Sequence, residues 1–351
     1  MLLTPVDSTA PATSPATPPP ATALLQLLFG KHISYSLSAV ARLGVADHMG
    51  EEPVAVEKLA GKVAAHPPSL YRVMRTLAGV GVFEETSDRC FGLTPLGELL
   101  KTAAHGSYRY LAIQLGDQWS TRPWEHFTDT LRTGVDGVTQ AFGKNVFELF
   151  AEEPEQARTF NLSMTSLSAV MMDALVNAYD FSSIERLADI GGGHGMLLAS
   201  ILNRYPEMRG VVYDLPEVVV GALSQSHFAQ CGDRIQIEAG SFFDRVPAGC
   251  DAYMMKFILH DWSDDFCRKI LGRIREQLPA YGRVLIFEQI VTADSALSPA
   301  KLIDLEMLAV TVGGKERTAN EFGKLLSSAG LQLTQIVQTE SPICILEARV
   351  R

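Results

Sequence analysis

Hydrophobic positions recur at steps of three and four residues from Leu24 onward, which is the spacing of one face of a helix. The preceding residues 1–21 are rich in Pro, Ala, Thr and Ser and carry few hydrophobic side chains. Because such a segment has little apolar surface to bury, we predict that residues 1–21 form a disordered tail.

A compact unit follows, in which two helical stretches precede two strand-like stretches. In chain order these stretches are VEKLAGKV, LYRVMRTLAGVG, VFEET and CFGLT. The turn between the two helices contains two prolines, and Ser69 is a candidate cap for the second helix. Helix, turn, helix and hairpin in this order predict a winged helix, which we assign to a domain over residues 22–105.

Winged helices often bind DNA, so the charge of this unit matters. Residues 54–101 contain six Lys and Arg and five acidic residues, so the unit is nearly neutral. The whole chain contains 30 Lys and Arg and 40 Asp and Glu. The basic footprint of a nucleic-acid-binding protein is therefore missing. A structural or dimer-forming unit is the favoured interpretation, and a transcriptional regulator remains the alternative from a different class.

The pattern changes again after a helical, aromatic-rich region over residues 106–178, which we assign as a helical linker. In residues 179–351, short apolar runs alternate with helical patterns. Strand alternating with helix predicts an α/β domain with a parallel sheet, and ligands bind such sheets at the carboxyl ends of the strands.

The sequence DIGGGHG at residues 189–195 lies between a predicted strand and a predicted helix. Glycines at this point let the backbone approach a ligand at the helix N-terminus. Met196 stands where the dinucleotide fingerprint needs its third glycine, which disfavours an NAD-dependent dehydrogenase. Asp214 ends the next strand, where a carboxylate can accept hydrogen bonds from both hydroxyls of a ribose. The alternative interpretation of Asp214 is a solvated carboxylate in a loop. His194 is expected to point to solvent or pack on a neighbour, with no catalytic role.

Three further side chains are candidates for acid–base chemistry. His260 follows the strand DAYMMK, and Glu288 ends the strand RVLIFE. Glu316 lies in GGKERT, before a helix that Thr318 can cap. A histidine near carboxylates stays basic, because negative charge favours imidazolium. A lone structural histidine is the alternative.

The ordered motifs DIGGGHG, YDLP, GSFFD, LHDWSD, FEQI and GGKERT give the chain a resemblance to a known family. It resembles the plant-type small-molecule O-methyltransferases, which include caffeic acid and hydroxyindole O-methyltransferases and bacterial enzymes that tailor polyketides and phenazines. The resemblance covers about residues 24–348. It implies a Rossmann-like, seven-stranded methyltransferase domain, an N-terminal winged-helix-like dimerisation domain, a homodimer, and S-adenosylmethionine as the methyl donor.

The resemblance also implies site residues. The donor-binding residues would be Asp189, Gly191, Gly193, Gly195, Asp214, Leu215, Ser241, Phe242, Lys256 and Ser168. Many family members have an acid where this chain has Ser241, which leaves the role of that serine in doubt. The acceptor-binding residues would be Asn161, Met164, Trp119, Phe160, Met307 and Leu308. The catalytic residues would be His260 as the base, Glu288 and Glu316 bracketing it, and Asp261 beside it.

The reaction implied is in-line displacement of a methyl group from sulfonium to an aromatic hydroxyl, with no metal. Methylation of nitrogen is an alternative, although His260, Glu288 and Glu316 favour oxygen. A relative that uses the donor for hydroxylation or decarboxylation is another. Phenols, indoles, phenazines and polyketide rings all remain possible acceptors.

The cysteines and the apolar runs indicate the compartment. Five cysteines without a C-x-x-C pair argue against a disulfide framework and a zinc knuckle, and fit a reducing cytoplasm. No apolar run approaches the ~20 residues of a membrane span. The N-terminus lacks the pattern of a secretion signal. We therefore predict a cytoplasmic protein without a membrane partner.

Overall fold

The computed structural model describes residues 19–222 and 226–351. Residues 1–18 of the predicted tail lie outside the described residues. The first helix begins at Pro20, inside the segment that was predicted to be a tail. A proline suits the first turn of a helix because its missing N–H has no partner there in any case.

Helices dominate the first half of the chain, and strands alternate with helices in the second. The helices are α1 Pro20–Leu28, α2 Gly30–Leu43, α3 Val56–Lys62, α4 Pro67–Ala78, α5 Pro95–Glu98, α6 Arg109–Gln114, α7 Gln118–Thr121, α8 Phe127–Thr133, α9 Gly137–Phe142, α10 Val146–Glu152, α11 Pro154–Ala178, α12 Met196–Arg204, α13 Pro216–Ala222, α14 Asp264–Gln277, α15 Pro299–Val310 and α16 Ala319–Ser328. The strands are β1 Val54–Ala55, β2 Phe83–Ser87, β3 Cys90–Leu93, β4 Arg186–Ile190, β5 Arg209–Asp214, β6 Ile235–Ala239, β7 Ala252–Lys256, β8 Arg283–Gln289, β9 Leu331–Gln338 and β10 Ile343–Val350. Short 3₁₀ helices lie at Val45–His48, Arg122–His126, Ser226–Gln230, Gly232–Arg234 and Leu259–Asp261.

The N-terminal unit has the predicted order of two helices and a hairpin. β1 adds a third strand to the hairpin, giving the strand order β1-β3-β2. Side chains from α3, α4 and the hairpin close one small core, which includes Leu59, Met74, Leu77 and Phe91. This unit therefore buries its own apolar faces and forms a separate core.

The prediction that Ser69 caps α4 is wrong, because the helix begins at Pro67 and His66 occupies the cap position. The hydroxyl of Ser69 instead lies 3.0 Å from Nδ1 of His66. Two prolines at the helix start fix φ near the helical value, which moves the first turn upstream of the serine.

The predicted seven-stranded, mostly parallel sheet is confirmed, with the strand order β6-β5-β4-β7-β8-β10-β9. β4 pairs in parallel with both β5 and β7, so the chain reverses its direction of winding at β4. Only β10 runs antiparallel to its neighbours β8 and β9. A reversal of this kind opens a crevice at the carboxyl ends of the strands, where ligands bind.

Both faces of this sheet are covered. Neighbouring residues in one strand pack into different cores, as Val211 and Val212 do in β5 and Tyr253 and Met254 do in β7. Alternate side chains of a strand point to opposite faces, so both faces must be apolar. Helices α14 and α16 cover one face, and α12 with the end of α11 covers the other.

The 25-residue helix α11 connects the two halves, since it contacts α6 on one side and α12 on the other. No helix within the described ranges is long and apolar enough to cross a membrane.

Candidate active site

Polar residues stand at the carboxyl ends of neighbouring parallel strands. Asp189 lies near the end of β4, Asp214 ends β5, Lys256 ends β7, and Glu288 lies near the end of β8. Because these strands run in parallel and in register, their polar ends meet at one edge of the sheet. This edge is the crevice where the chain changes its winding direction.

The glycine loop at this edge takes a backbone shape that side chains disfavour. Gly191, Gly193 and Gly195 have φ values of 68°, 57° and 72°. A Cβ at Gly191 would lie 2.4 Å from Ile258, whereas one at Gly193 would meet nothing within 4 Å. Gly193 therefore leaves open space at the edge of the sheet, which suits the approach of a ligand to the loop.

Asp214 holds this loop in place. Its Oδ2 accepts a hydrogen bond of 2.7 Å from the backbone N–H of Gly193, and its Oδ1 accepts one of 2.7 Å from Leu215. Burial raises the pKa of Asp214, and these two N–H groups act against that rise. Among the described residues each carboxylate oxygen accepts one hydrogen bond and has capacity for another, so the side chain can still bind two hydroxyls.

The charges of Asp189, which is buried, and of Lys256 influence each other behind the loop. Burial raises the pKa of Asp189 to about 7, although the charge of Lys256 opposes the rise. Burial likewise lowers the pKa of Lys256, opposed by Asp189 and Glu288. The Nζ of Lys256 also lies 4.8 Å from the ring centroid of Phe257. Lys256 on β7 thus interacts electrostatically with acidic residues at the ends of both β4 and β8.

Among the other predicted donor residues, Phe242 packs against the same loop. The ring of Phe242 lies beside Gly191, 3.6 Å from the position that a Cβ would take there. The hydroxyl of Ser241 accepts a hydrogen bond of 3.2 Å from the backbone of Phe243. Ser168 lies on α11, and its hydroxyl donates to the carbonyl of Met164 at 2.7 Å. Both serine hydroxyls are therefore partly committed to the protein's own backbone.

His260 meets its predicted acidic partners although they are distant in sequence. Its Nδ1 lies 2.7 Å from Oε1 of Glu316 and 3.9 Å from Oε2 of Glu288. Its Nε2 lies 3.5 Å from Oδ1 of Asp261. The short contact makes Nδ1 the protonated nitrogen in the neutral ring, donating to Glu316. Nε2 is then the nitrogen that can accept a proton from a substrate.

Glu288 does more than the sequence predicted. Its Oε1 accepts hydrogen bonds from the backbone N–H groups of Ile258, Leu259 and His260, at 3.1, 2.9 and 3.3 Å. One carboxylate oxygen thus shapes the turn that presents His260. Its other oxygen is buried and has no hydrogen-bond partner among the described residues, and burial raises the pKa of Glu288 to about 7.

The charge state of His260 follows from these neighbours. Burial alone would lower its pKa, but Glu288, Asp261 and Glu316 outweigh burial and raise it to about 10. Burial raises the pKa of Asp261 to about 6, with the His260 charge opposing. The site therefore stabilises a proton on the imidazole.

The same three side chains are also of the types that bind metal ions. The ligand atoms of His260, Glu288 and Glu316 lie within 4.8 Å of one another. A metal ion here would have to displace the proton between His260 and Glu316. The hydrogen-bonded arrangement is the one that the observed 2.7 Å distance describes.

An aromatic wall stands next to the His260 turn. Trp119 makes edge-to-face contacts with Phe150 and Phe160, at centroid distances of 4.9 and 5.9 Å, and Met307 belongs to the same buried cluster. Phe147, packed against this cluster, stacks on Trp262 at 5.1 Å. The remaining predicted acceptor residues are half-buried and lie on α11 and α15; they are Asn161, Met164 and Leu308.

His194 packs on a neighbour rather than pointing freely to solvent. Its Nδ1 lies 3.2 Å from the hydroxyl of Thr165, and its backbone carbonyl lies 2.7 Å from Nε2 of His227. Burial lowers the pKa of His194. No sequence pattern predicts this contact, which links the glycine loop to α11.

Comparison with known proteins identifies the family. A family model described as the O-methyltransferase domain matches residues 124–332, and one described as the O-methyltransferase dimerisation domain matches residues 25–103. The chain belongs to the O-methyltransferase family. This confirms the resemblance of the sequence motifs and the prediction of an enzyme.

Individual O-methyltransferases match over nearly the whole chain. A phenazine O-methyltransferase of Lysobacter antibioticus is 39% identical over 326 residues, covering 93% of this chain and 95% of that protein. An O-demethylpuromycin-O-methyltransferase of Streptomyces alboniger is 37% identical, covering 93% and 88%. The crystal structure of human N-acetylserotonin methyltransferase in complex with S-adenosylmethionine matches with a TM-score of 0.87 and 27% identity, covering 96% and 99%.

Proposed function

We propose that this O-methyltransferase transfers a methyl group from S-adenosylmethionine to a hydroxyl of an aromatic small molecule, with His260 as the general base. The observation that carries the proposal is the 2.7 Å contact between Nδ1 of His260 and Glu316, buried next to the glycine loop. It fixes the ring so that Nε2 is the nitrogen free to take a proton. S-adenosylmethionine supplies the methyl group on a positively charged sulfur, already activated for displacement.

The donor is held by the edge of the sheet. Asp214 has one free acceptor position on each oxygen, which matches the two hydroxyls of a ribose. We assign the adenine to Leu215, Phe242 and Ser241, and the methionine part to the glycine loop. Asp189, Lys256 and Ser168 complete the donor site. The open space at Gly193 supports this assignment.

Proton removal is matched to the acceptor. A phenol has a pKa near ~10, by analogy with tyrosine. The carboxylates raise the pKa of His260 to about 10. The raised pKa makes the neutral imidazole a strong base towards a phenol, and only this neutral form can take the proton as the oxygen attacks, so the rate should rise with pH as the imidazolium loses its proton. Most of the remaining catalysis comes from holding the two substrates in line.

The acceptor lies against the aromatic wall. We assign its ring to the apolar side chains of Trp119, Phe160, Met164, Met307 and Leu308. Asn161 and Asp261 are the polar groups that can orient its substituents. Phenols, indoles, phenazines and polyketide rings fit this description, and the reaction needs no metal because the imidazole performs the proton transfer.

We further propose a homodimer formed through the N-terminal domain. Helix α1 has no buried residue within the described part of the chain. Leu27 and Leu28 are 78% and 65% exposed, and Phe29 is half-exposed. An apolar helix in water needs a partner, and the match to a dimerisation domain supports a second copy of this chain.

Domain boundaries follow from the same division of cores. We propose a dimerisation domain that begins at Pro20 and ends near residue 105, a helical covering region over residues 106–178, and a donor-binding domain over residues 179–351. The charge balance supports a protein that binds no nucleic acid. All five cysteines are free thiols, which supports the cytoplasm as the compartment.

The test is methyl transfer from labelled S-adenosylmethionine to a panel of phenols, hydroxyindoles, hydroxyphenazines and hydroxylated polyketides, with His260→Ala protein in parallel and a chelator in one arm. We expect label on one hydroxyl, its near-loss in the variant, and no effect of the chelator. Label on nitrogen, or a donor that is bound and consumed without methylation, would favour the alternative activities.

A further inference from the structure

Arg317 is a fully buried arginine next to the catalytic site to which no role has been assigned. Its Nη1 donates to the carbonyl of Leu259 at 2.7 Å, and its Nη2 donates to the carbonyl of Trp262 at 2.9 Å. Nε and Nη2 also donate to Oδ1 of Asp264, at 3.1 and 2.8 Å. A buried guanidinium requires such partners, since an unpaired buried charge is very costly.

These contacts surround His260 on both sides. Leu259 is the residue before His260, and Trp262 lies two residues after it. The guanidinium of Arg317 therefore hydrogen-bonds to backbone carbonyls on both sides of His260. The backbone N–H of Lys315 donates to the carbonyl of His260 itself, at 2.8 Å. The whole turn is thus tied to the segment that carries Glu316.

The backbone of Arg317 is fixed as well. The N–H of Val291 donates to its carbonyl at 3.0 Å, just beyond the end of β8 that carries Glu288. Arg317 also follows Glu316 directly in the chain. One residue therefore connects the three segments that supply His260, Glu288 and Glu316.

We propose that Arg317 is a positioning residue that holds the imidazole of His260 and the carboxylate of Glu316 in register for proton removal. This inference depends on the proposed function, because the register matters only if His260 takes the proton. Arg317 does not touch the acceptor in this role. It acts through the backbone carbonyls of the turn and through its neighbour Glu316.

A lysine separates geometry from charge. Arg317→Lys keeps the positive charge but replaces the rigid, planar guanidinium by a single nitrogen on a flexible stem. That nitrogen cannot reproduce both carbonyl contacts and the two hydrogen bonds to Oδ1 of Asp264. The matched control is Arg283→Lys, at the opposite end of β8, where a guanidinium donates to the hydroxyl of Tyr179 at 3.1 Å.

The experiment measures kcat, KM for the donor, the affinity for S-adenosylhomocysteine, the melting temperature, and the titration of His260 by nuclear magnetic resonance. The charged groups that face His260 are Glu288 from β8, Glu316 from the loop before α16, and Asp261 from its own turn. In Arg317→Lys we expect kcat to fall about 10- to 100-fold with donor affinity unchanged, because a small misplacement of a reacting group costs that much. We expect the His260 titration to move towards its ordinary value, and neither change in Arg283→Lys.

Wild-type kcat with an unshifted His260 titration in a folded Arg317→Lys protein would overturn the proposal. If that variant does not fold, Asp264→Ala removes two hydrogen bonds of the guanidinium and serves instead, with Asp265→Ala on the exposed neighbouring residue as its control. We then expect kcat to fall several-fold in Asp264→Ala only, and equal behaviour of the two would overturn the proposal. The His260 titration tests Arg317 even if the wild-type protein methylates no acceptor, so failure of the proposed function is seen separately.

Discussion

The two regions of the proposed site are held together by different interactions: the sheet edge to which we assign the donor, here called the donor edge, and the aromatic wall to which we assign the acceptor, here called the acceptor wall. At the donor edge, carboxylates bind backbone N–H groups, as Asp214 does at Gly193 and Glu288 does at the His260 turn. At the acceptor wall, aromatic side chains from separate helices pack on one another, as Trp119 and Phe160 do. The first region is fixed by strand ends and loop backbone, and the second by the choice of side chains.

This difference explains how one family can keep a reaction while its acceptors vary. A change of side chain at the wall alters the shape of the pocket without moving the sheet edge. On the proposed assignment, a change at the donor edge would disturb the backbone that Asp214 and Glu288 hold at the glycine loop and at the His260 turn. The names of the similar enzymes fit this division, since they refer to acceptors as different as a phenazine and O-demethylpuromycin.

The largest expected effect separates chemistry from binding. His260→Ala should lower kcat by about 100-fold or more, because a positioned general base contributes that much. Affinity for S-adenosylhomocysteine should stay unchanged, since the imidazole does not hold the glycine loop. Rapid-quench kinetics and calorimetry measure the two quantities. An unchanged kcat would mean that positioning alone carries the reaction.

Asp214→Ala should act on the donor instead. We expect the affinity for S-adenosylhomocysteine to fall roughly 10- to 100-fold, because the two ribose hydroxyls lose their acceptor and the Gly193 N–H loses its hydrogen bond to the carboxylate. Glu217→Ala, on the exposed first turn of α13, is the matched control. Equal affinities of the two variants would show that Asp214 does not bind the donor.

Glu316→Gln tests the hydrogen bond to His260, the proposed base that lies between the two regions. Negative charge from Glu316 raises the pKa of His260, so its removal lowers that pKa. The acid-side limb of the kcat/KM profile, which requires neutral imidazole, should move to lower pH. We expect kcat to fall about 10-fold, because the ring loses its charged orienting partner. If the acid-side limb stays at the same pH, Glu316 does not set the pKa of the catalytic base.

The smallest effect is expected at the acceptor wall. Met164→Ala should raise KM for the acceptor several-fold through lost packing, with donor affinity and the pH profile unchanged. Initial-rate measurements against two acceptors of different width check this. A loss of donor affinity instead would show that the two regions are not separable.

Sequence reasoning could predict what depends on local pattern. Strand and helix alternation predicted the parallel sheet, and the Thr318 capping box with Glu321 confirms the predicted helix start. It could not predict contacts that depend on strand order. Glu288 hydrogen-bonds to a turn about 30 residues earlier in the chain because β7 and β8 are neighbours in the sheet. Arg317 hydrogen-bonds to the same turn from a later loop.

The central claim is that Nε2 of His260 receives the proton of the acceptor hydroxyl. The most direct measurement is a crystal structure with S-adenosylhomocysteine and an acceptor. The acceptor is the panel compound that the enzyme methylates, bound with its hydroxyl still free. We expect the hydroxyl oxygen at about 2.6–3.2 Å from Nε2, with Nδ1 still bonded to Glu316. A hydroxyl bound to a different group, with Nε2 facing neither the oxygen nor a bridging water, would contradict the assignment of His260 as the base.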